Sequence, residues 1–201
     1  PGEDRVWVSA PLRVHRRCAN PMFTLCNQIA YNNLMVNGVH RDLDNPEKRD
    51  LFDSPAGPIV APSHWADEPA SGPGSHLQPN QIDRLEKALS YLDGHGIPSS
   101  EVIVISPFRV VADRLRTLDP RKYPGLRAGT IHTAQGREAD VVILVLGGDP
   151  SKPGAPANWA RTPNLVNVAA SRAKRRLYVI GDRRFWARHN YFRDLSNALL
   201  Q

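Results

Sequence analysis

Two stretches of small and polar residues adjoin apolar runs and have the composition of a phosphate-binding site. Residues 129–140 read GTIHTAQGREAD and precede the apolar run 141–146. Residues 167–174 read NVAASRAK and lead into a second such run at 177–182. In α/β domains, polar side chains at the ends of buried strands line a crevice, and phosphorylated ligands bind in such crevices. Both stretches are therefore candidates for contact with a phosphate.

The sequence contains no phosphate-binding loop of its own. A self-sufficient nucleotide hydrolase of this class needs the pattern Gly-x-x-x-x-Gly-Lys-Ser/Thr to cradle phosphates, and an acidic residue at a strand end to hold magnesium. That glycine pattern does not occur, and Gly94-His95-Gly96 lacks the third glycine of a dinucleotide-binding turn. We therefore expect that the isolated chain cannot hydrolyse a nucleotide.

Apolar runs separated by helical patterns predict the elements that must position these residues. Strands are predicted at 6–8, 58–61, 102–106, 129–131, 141–146 and 177–181, and helices at 21–33, 80–92, 110–118, 165–173 and 185–200. The helix at 80–92 carries its apolar residues on one stripe. Residues 67–79 and 147–163 are rich in Pro and Gly and are predicted to be loops. Apolar strands that alternate with helices indicate a single α/β domain, a parallel β-sheet with helices on both faces.

Length and composition limit the class of protein. The chain has 201 residues and 41% hydrophobic content, enough for one continuous core. No apolar run is long enough for a membrane span and no signal pattern opens the sequence, so we expect a cytoplasmic location and no membrane partner. Because the sequence begins without Met, we expect a piece of a longer polypeptide. Cys18 and Cys26 lack metal-ligand spacing, so they are interpreted as small buried side chains and no metal site is predicted.

The positive charge of the chain favours a polyanionic partner. Lys and Arg outnumber Asp and Glu by 26 to 20, which gives a net charge of +6 and a pI near 9.7. Seven of these cations are close together in the sequence: Arg172, Lys174, Arg175, Arg176, Arg183, Arg184 and Arg188. A solvated helix end next to a strand edge explains such a cluster as well as a nucleic-acid surface does, and both interpretations stay open.

The order and spacing of these segments resemble superfamily 1 helicases, in particular the second RecA-like motor domain of the group with the RNA-surveillance and replication helicase-nucleases. Residues 129–140 resemble the fifth motif of the family, and residues 168–173 resemble the sixth. The resemblance extends over residues 12–199. It implies a RecA-like fold, ATP and Mg²⁺ held mainly by a first RecA-like domain outside this chain, and single-stranded DNA or RNA as a partner.

The resemblance also implies which residues approach the nucleotide. Arg172 takes the place of an arginine finger, whose planar guanidinium stabilises charge on the transferred phosphoryl group. Residues 12–23 resemble the segment that supplies a second phosphate contact, here Arg17. Arg16 stands where relatives have a tyrosine that stacks on adenine, and an arginine plane can also stack on a base.

Three more residues of the fifth motif are placed near the nucleotide by the resemblance: Gln135, Gly136 and Glu138. Gly136 would let backbone amides approach the γ-phosphate, because it has no Cβ to hold the phosphate away. Glu138 is a candidate acceptor for a ribose hydroxyl.

A second set of residues is implied to contact the backbone of the nucleic acid: Ser106, Phe108, Arg109, Thr130, His132 and Thr133. Hydroxyl and imidazole donors at strand ends suit phosphate oxygens and read no base sequence. Ser106 is expected to bond a phosphate, whereas Phe108 is expected to pack rather than to stack on a base. The stretches between Arg17, Ser106 and Thr130 are too short for a large inserted domain. In this respect the chain resembles the branch of the superfamily that moves 5′ to 3′.

Two other classes of function remain. The chain could be a non-catalytic RecA-like nucleic-acid-binding or scaffold domain that has lost the motor activity. It could also be a small-molecule enzyme, which would need an acid and a base at the strand ends. His132 with Glu138 is the candidate pair for that chemistry.

Overall fold

Strands and helices alternate along most of the chain. A computed structural model describes residues 13–45, 47, 49–134 and 136–199, and the strand predicted at 6–8 lies outside them. The strands are β1 (Val14–His15), β2 (Val36–Asn37), β3 (Asp53–Ser54), β4 (Gly57–Pro58), β5 (His64–Asp67), β6 (Val102–Ser106), β7 (Arg127–Thr130), β8 (Ala139–Val145) and β9 (Ala173–Gly181). The α-helices are α1 (Met22–Ala30), α2 (Pro79–Gly94), α3 (Arg109–Arg116), α4 (Ala155–Trp159), α5 (Asn164–Arg172), α6 (Arg183–Trp186) and α7 (Phe192–Ala198). Short 3₁₀ turns occupy Ser99–Glu101 and Ile131–Ala134.

Five of the strands form one parallel sheet. Their order is β5-β9-β8-β6-β7, and each neighbouring pair is parallel. The inner strands are buried on both faces over residues 102–106 and 141–145, which explains why they read as unbroken apolar runs rather than as an alternating pattern. The predicted α/β fold with a single RecA-like parallel sheet is confirmed, and the strand at 102–106 has the predicted bounds.

Helices cover both faces of the sheet because side chains alternate along its strands. On one face, Val142 and Leu144 of β8 belong to a core with α1, α5 and α7. On the other face, Val141 and Ile143 of the same strand belong to a core with α2 and α3. The apolar stripe predicted for the helix at 80–92 is buried in this second core. None of the helices in the described ranges has the length and hydropathy to cross a bilayer.

The edge strand next to β9 is not where the sequence indicated. The predicted strand at 58–61 is wrong, because only Gly57–Pro58 pairs, with β3, and the edge strand of the sheet is β5. The carbonyl groups of residues 60 and 61 accept hydrogen bonds from the side chains of Arg176 and Tyr178. Side chains therefore use the backbone acceptors that a strand would have offered to a neighbouring strand.

The last helical stretch is broken in two. The prediction of one helix at 185–200 is wrong, because α6 ends at Trp186 and α7 begins at Phe192. Tyr191 has a φ of +63°, a left-handed conformation that a continuous right-handed helix does not contain. The break brings Trp186 and Phe192 into the same core, with ring centroids 4.7 Å apart.

Two of the seven clustered cations serve the fold. Arg176 is buried, and its Nη2 and Nη1 donate to the two carboxylate oxygens of Asp53 at 2.5 and 3.3 Å. Arg175 forms an ion pair with Asp50, and the two side chains are 13% and 14% exposed. Burial acts to raise the pKa of Asp50, but hydrogen bonds from Arg175 and from backbone N–H groups lower it to about 2. These arginines anchor residues 50–53 to β9 and are not available to a nucleic acid.

Candidate functional site

Four charged residues from three segments lie at the amino-terminal edge of the sheet, and three of them are in contact. Arg17 precedes α1, Glu138 precedes β8, and Arg172 and Lys174 flank the first residue of β9. Nε of Arg17 lies 2.6 Å from Oε2 of Glu138, and Nζ of Lys174 lies 3.7 Å from Oε1. The N–H of Ala19 donates to the carbonyl of Lys174 at 3.0 Å, which ties the segment of Arg17 to β9. We call Arg17, Glu138, Arg172 and Lys174 the amino-edge cluster.

Arg172 has an unsatisfied donor in this cluster. It is the last residue of α5, and the alanines around it, Ala169, Ala170 and Ala173, are fully buried. Within the described residues, no group accepts a hydrogen bond from its buried Nε. Buried donors without a partner are rare in folded proteins because each one loses its hydration without compensation. The Nε atoms of Arg175 and Arg183 are buried without an acceptor in the same way, so this feature does not by itself mark a ligand site.

The cluster carries more positive than negative charge. Arg17 and Lys174 flank the carboxylate of Glu138, and Arg172 adds a third positive charge at the same edge. The side chains of Arg17, Glu138 and Lys174 are 43%, 42% and 37% exposed. Ion pairs at this exposure contribute little net stability, because water and salt compete with them. A phosphate group can therefore replace Glu138 as the partner of Arg17 at small cost.

His15 shapes the turn that carries Arg16 and Arg17. Its Nε2 accepts a hydrogen bond from the N–H of Cys18 at 3.1 Å and lies 2.9 Å from Sγ of the same residue. Burial and the nearby charge of Arg17 lower the pKa of His15, so the ring is neutral at pH 7 and Nε2 can accept. Cys18 and Cys26 are both buried and reduced.

The other predicted nucleotide contacts are placed as follows. Arg16 is exposed and packs against Gly38: a Cβ atom at position 38 would lie 3.2 Å from Cγ of Arg16. Gly136 is exposed just before Glu138 and has a φ of +78°, a conformation that favours glycine. Gln135 lies outside the described residues. The structure thus gathers Arg17, Arg172, Gly136 and Glu138 along one edge, with Arg16 on the adjoining turn.

The residues predicted to contact nucleic acid lie at the opposite, carboxyl-terminal edge of the sheet. Ser106 and Thr130 are paired final residues of β6 and β7. Arg109 begins α3, and the 3₁₀ turn after β7 contains His132 and Thr133. Arg109 and His132 are exposed, so both can reach a ligand that lies along this edge.

Two members of that set are buried or packed. Ser106 is fully buried, and its Oγ accepts a hydrogen bond from the N–H of Phe108 at 3.3 Å. The hydroxyl therefore fixes the turn after β6 and offers no exposed surface to a phosphate in this arrangement, in contrast to the expectation of a direct contact. The ring of Phe108 packs near Trp159 and Trp186, with centroids 6.4 and 6.0 Å away.

Three further cations, to which the family resemblance gives no role, lie along the same edge. Lys152 and Arg161 belong to the connection after β8, and Arg188 belongs to the connection after β9. All three are exposed. Arg188 belongs to the cation cluster noted in the sequence. Its contact with the carbonyl of Pro153 at 3.5 Å places it beside the connection that carries Lys152 and Arg161, which spacing in the sequence could not indicate. We call Arg109, His132, Lys152, Arg161 and Arg188 the carboxyl-edge surface.

The arrangement can serve two anionic ligands at once. The amino-edge cluster and the carboxyl-edge surface lie at opposite ends of the same strands, and a strand as long as β8 spans about 20 Å.

Among the described residues, no group of three or more His, Cys, Asp or Glu could hold a metal ion. Within the same residues, no ion pair joins His132 to Glu138, whose carboxylate faces Arg17 and Lys174.

Comparison with protein families gives one match that covers most of the chain. A family model described as "AAA domain" matches residues 5–184.

Curated relatives resemble the chain at lower identity. DNA polymerase alpha-associated DNA helicase A of Saccharomyces cerevisiae is 30% identical over 111 residues, which are 54% of this chain and 16% of that protein. DNA-binding protein SMUBP-2 of Mesocricetus auratus is 27% identical over 58% of this chain and 12% of its own length. Regulator of nonsense transcripts 1 of Caenorhabditis elegans is 24% identical over 87% of this chain and 16% of its own length. The chain therefore spans only a small part of each of these relatives.

Proposed function

This chain belongs to the AAA domain family, and from that premise we propose that it is the second RecA-like motor domain of an ATP-dependent superfamily 1 helicase or translocase. In this proposal a first domain of the same polypeptide holds ATP and Mg²⁺. The present chain adds positive charge to the γ-phosphate from the far side of the cleft. Its carboxyl-edge surface grips the backbone of a single strand of DNA or RNA.

The arrival of both motif arginines at one edge of the sheet is the observation that carries the proposal. Arg172 ends α5 two residues before Lys174, and Lys174 shares the carboxylate of Glu138 with Arg17. Arg17 lies at the same edge, held by a carboxylate that a phosphate can displace. Two arginines that approach the γ-phosphate stabilise the negative charge that spreads over its oxygens while the phosphoryl group is transferred.

The cluster fits the triphosphate rather than the metal. It offers three cations and a single carboxylate, and the described residues include no group that could coordinate a metal ion. We therefore leave Mg²⁺ to the first domain. Glu138, once released by Arg17, can accept a hydrogen bond from a ribose hydroxyl, and the exposed Arg16 can stack on the base.

Movement of the single-stranded nucleic acid follows from these contacts. When ATP is bound, Arg17 and Arg172 draw the two domains together, and after hydrolysis they lose the γ-phosphate and the cleft opens. The carboxyl-edge surface moves with the same rigid sheet. Opening and closing of the cleft therefore shift the contacts of this surface along the single-stranded nucleic acid. Contacts to the backbone make binding independent of base sequence and sensitive to salt.

The test is ATP hydrolysis by the intact protein, with and without a single-stranded oligonucleotide. We expect Arg17→Ala to lower the stimulated turnover at least tenfold, because a charged partner of the γ-phosphate is lost. Arg121→Ala is the matched control, since Arg121 is exposed and precedes β7, which β6 separates from β8 in the sheet. The isolated 201-residue chain is expected to hydrolyse no ATP.

Two results would exclude the motor. Equal stimulated turnover in Arg17→Ala, Arg121→Ala and the wild type would remove the role of the cluster. An intact protein that binds the oligonucleotide but hydrolyses no ATP would favour the alternative, a non-catalytic RecA-like nucleic-acid-binding or scaffold domain.

A further inference from the structure

His76 presents an aromatic ring at the carboxyl-terminal edge that none of the roles above uses. Its imidazole is stacked on the ring of Phe108, with centroids 3.7 Å apart and planes 2° apart. The N–H of Asp149 donates to Nδ1 of His76 at 3.1 Å. Connections that follow β5, β6 and β8 therefore meet at this one ring.

The hydrogen bond from Asp149 fixes the tautomer of the imidazole. Because Nδ1 accepts, the proton of the neutral ring is on Nε2. No described group bonds to Nε2, and this atom is not one of the buried polar atoms that lack a partner, so it is exposed to solvent. Burial lowers the pKa of His76 against the opposing charge of Asp149, and the ring is therefore neutral at pH 7.

The loop that carries His76 is held firmly by Gln78. The side chain of Gln78 is buried, and its Oε1 accepts hydrogen bonds from the N–H groups of Ser71 and Gly72. Its Nε2 donates to the carbonyls of Gly72, Ser75 and Gly148. The carbonyl of His76 in turn accepts from the N–H of Gly148 at 3.0 Å. A ring fixed in this way loses little conformational entropy when a ligand binds.

We propose that the ring face of His76 that points away from Phe108 is a stacking site for one base of a bound single strand. The neighbouring cations of the carboxyl-edge surface supply phosphate contacts, and a neutral ring among cations supplies the flat apolar surface that a base needs. Every base has such a face, so the site tolerates any sequence. This inference rests on the proposed function in one respect, because that function identifies the ligand as a single strand of DNA or RNA.

Two substitutions separate the ring from its hydrogen bond. His76→Asn removes the ring and keeps an acceptor for the N–H of Asp149, whereas His76→Phe keeps a ring and removes the acceptor. His95→Ala is the matched control, because His95 is exposed and packs on Tyr91 at the far end of α2, with centroids 4.2 Å apart.

Binding is measured by fluorescence anisotropy with the 201-residue chain at low ionic strength, where phosphate contacts are strongest. The probes are a mixed-sequence single-stranded DNA, the RNA of the same sequence, and an abasic DNA of the same length. We expect His76→Asn to weaken binding of both base-containing strands about tenfold and to leave the affinity for the abasic strand unchanged. His76→Phe and His95→Ala should bind all three probes like the wild type.

The possible contrary results are distinct. If His76→Asn and the wild type bind the base-containing strands equally, the stacking site does not exist. An equal loss of affinity for the abasic strand would show that the loop has collapsed, and would overturn the inference as well. A wild-type chain that binds none of the three probes would overturn this site together with the nucleic-acid part of the proposed function. ATP hydrolysis by Arg17→Ala reports separately on the amino-edge cluster.

Discussion

The Arg172→Ala variant of the intact protein is expected to hydrolyse ATP about 10³- to 10⁵-fold more slowly than the wild type in the presence of a single strand. Arg172 ends α5 beside the fully buried Ala169, Ala170 and Ala173, so its backbone position is set before the nucleotide arrives. Its positive charge then acts where negative charge develops on the phosphoryl oxygens. The measurement is the steady-state turnover number at saturating ATP and oligonucleotide.

Controls distinguish loss of chemistry from loss of folding. Arg172→Lys keeps the charge but not the planar fork, and is expected to recover only a small part of the turnover. The melting temperature of Arg172→Ala should stay close to that of the wild type, because the side chain makes no ion pair in the described part of the chain. Turnover in Arg172→Ala within threefold of the wild type would contradict the role of this residue.

Asp53→Ala is expected to lower the free energy of unfolding of the chain by about 1.5–3 kcal/mol, the cost of losing hydrogen bonds to a charged group. The substitution leaves Arg176 buried without the carboxylate that receives two of its hydrogen bonds. Arg176 is 8% exposed and keeps its desolvation penalty, while its remaining bonds to the carbonyls of residues 52, 60 and 61 offset part of the loss. Urea-induced unfolding, followed by far-UV circular dichroism, gives the difference.

Two further variants locate the effect. The double variant with Asp53→Ala and Arg176→Met removes both charges and should recover part of the lost stability. Asp113→Ala breaks the exposed pair with Arg116, whose side chains are 54% and 45% exposed, and should change stability by less than about 1 kcal/mol. Equal losses from Asp53→Ala and Asp113→Ala would show that the pair of Arg176 is no more important than a surface pair.

The parallel sheet could be predicted from the sequence because its inner strands are apolar at every position. The runs at 102–106 and 141–145 are buried on both faces, and such runs between helical patterns have few other structures available. The edge strand β5 could not be predicted in this way, because its end residues, His64 and Asp67, are exposed. Its position is set by long-range pairing with β9.

The candidate site was predictable only in part. Arg17, Glu138 and Arg172 stand in motifs that carry their own spacing, so the sequence could name them. Lys174 could be recognised as a partner of Glu138 only after the strands brought the two together. His76 lies in a stretch rich in Pro, Gly and Ser that predicts no more than a loop, and its contact with Phe108 joins residues far apart in the sequence.

The central claim is that this chain completes a nucleotide site whose other wall belongs to another domain. The most direct measurement is a crystal structure of the intact protein with a non-hydrolysable ATP analogue, Mg²⁺ and a single strand. The account predicts that the guanidinium groups of Arg17 and Arg172 both lie within hydrogen-bonding distance of the γ-phosphate, and that Arg17 has left Glu138. A nucleotide bound with both arginines directed away from its phosphates would contradict the account.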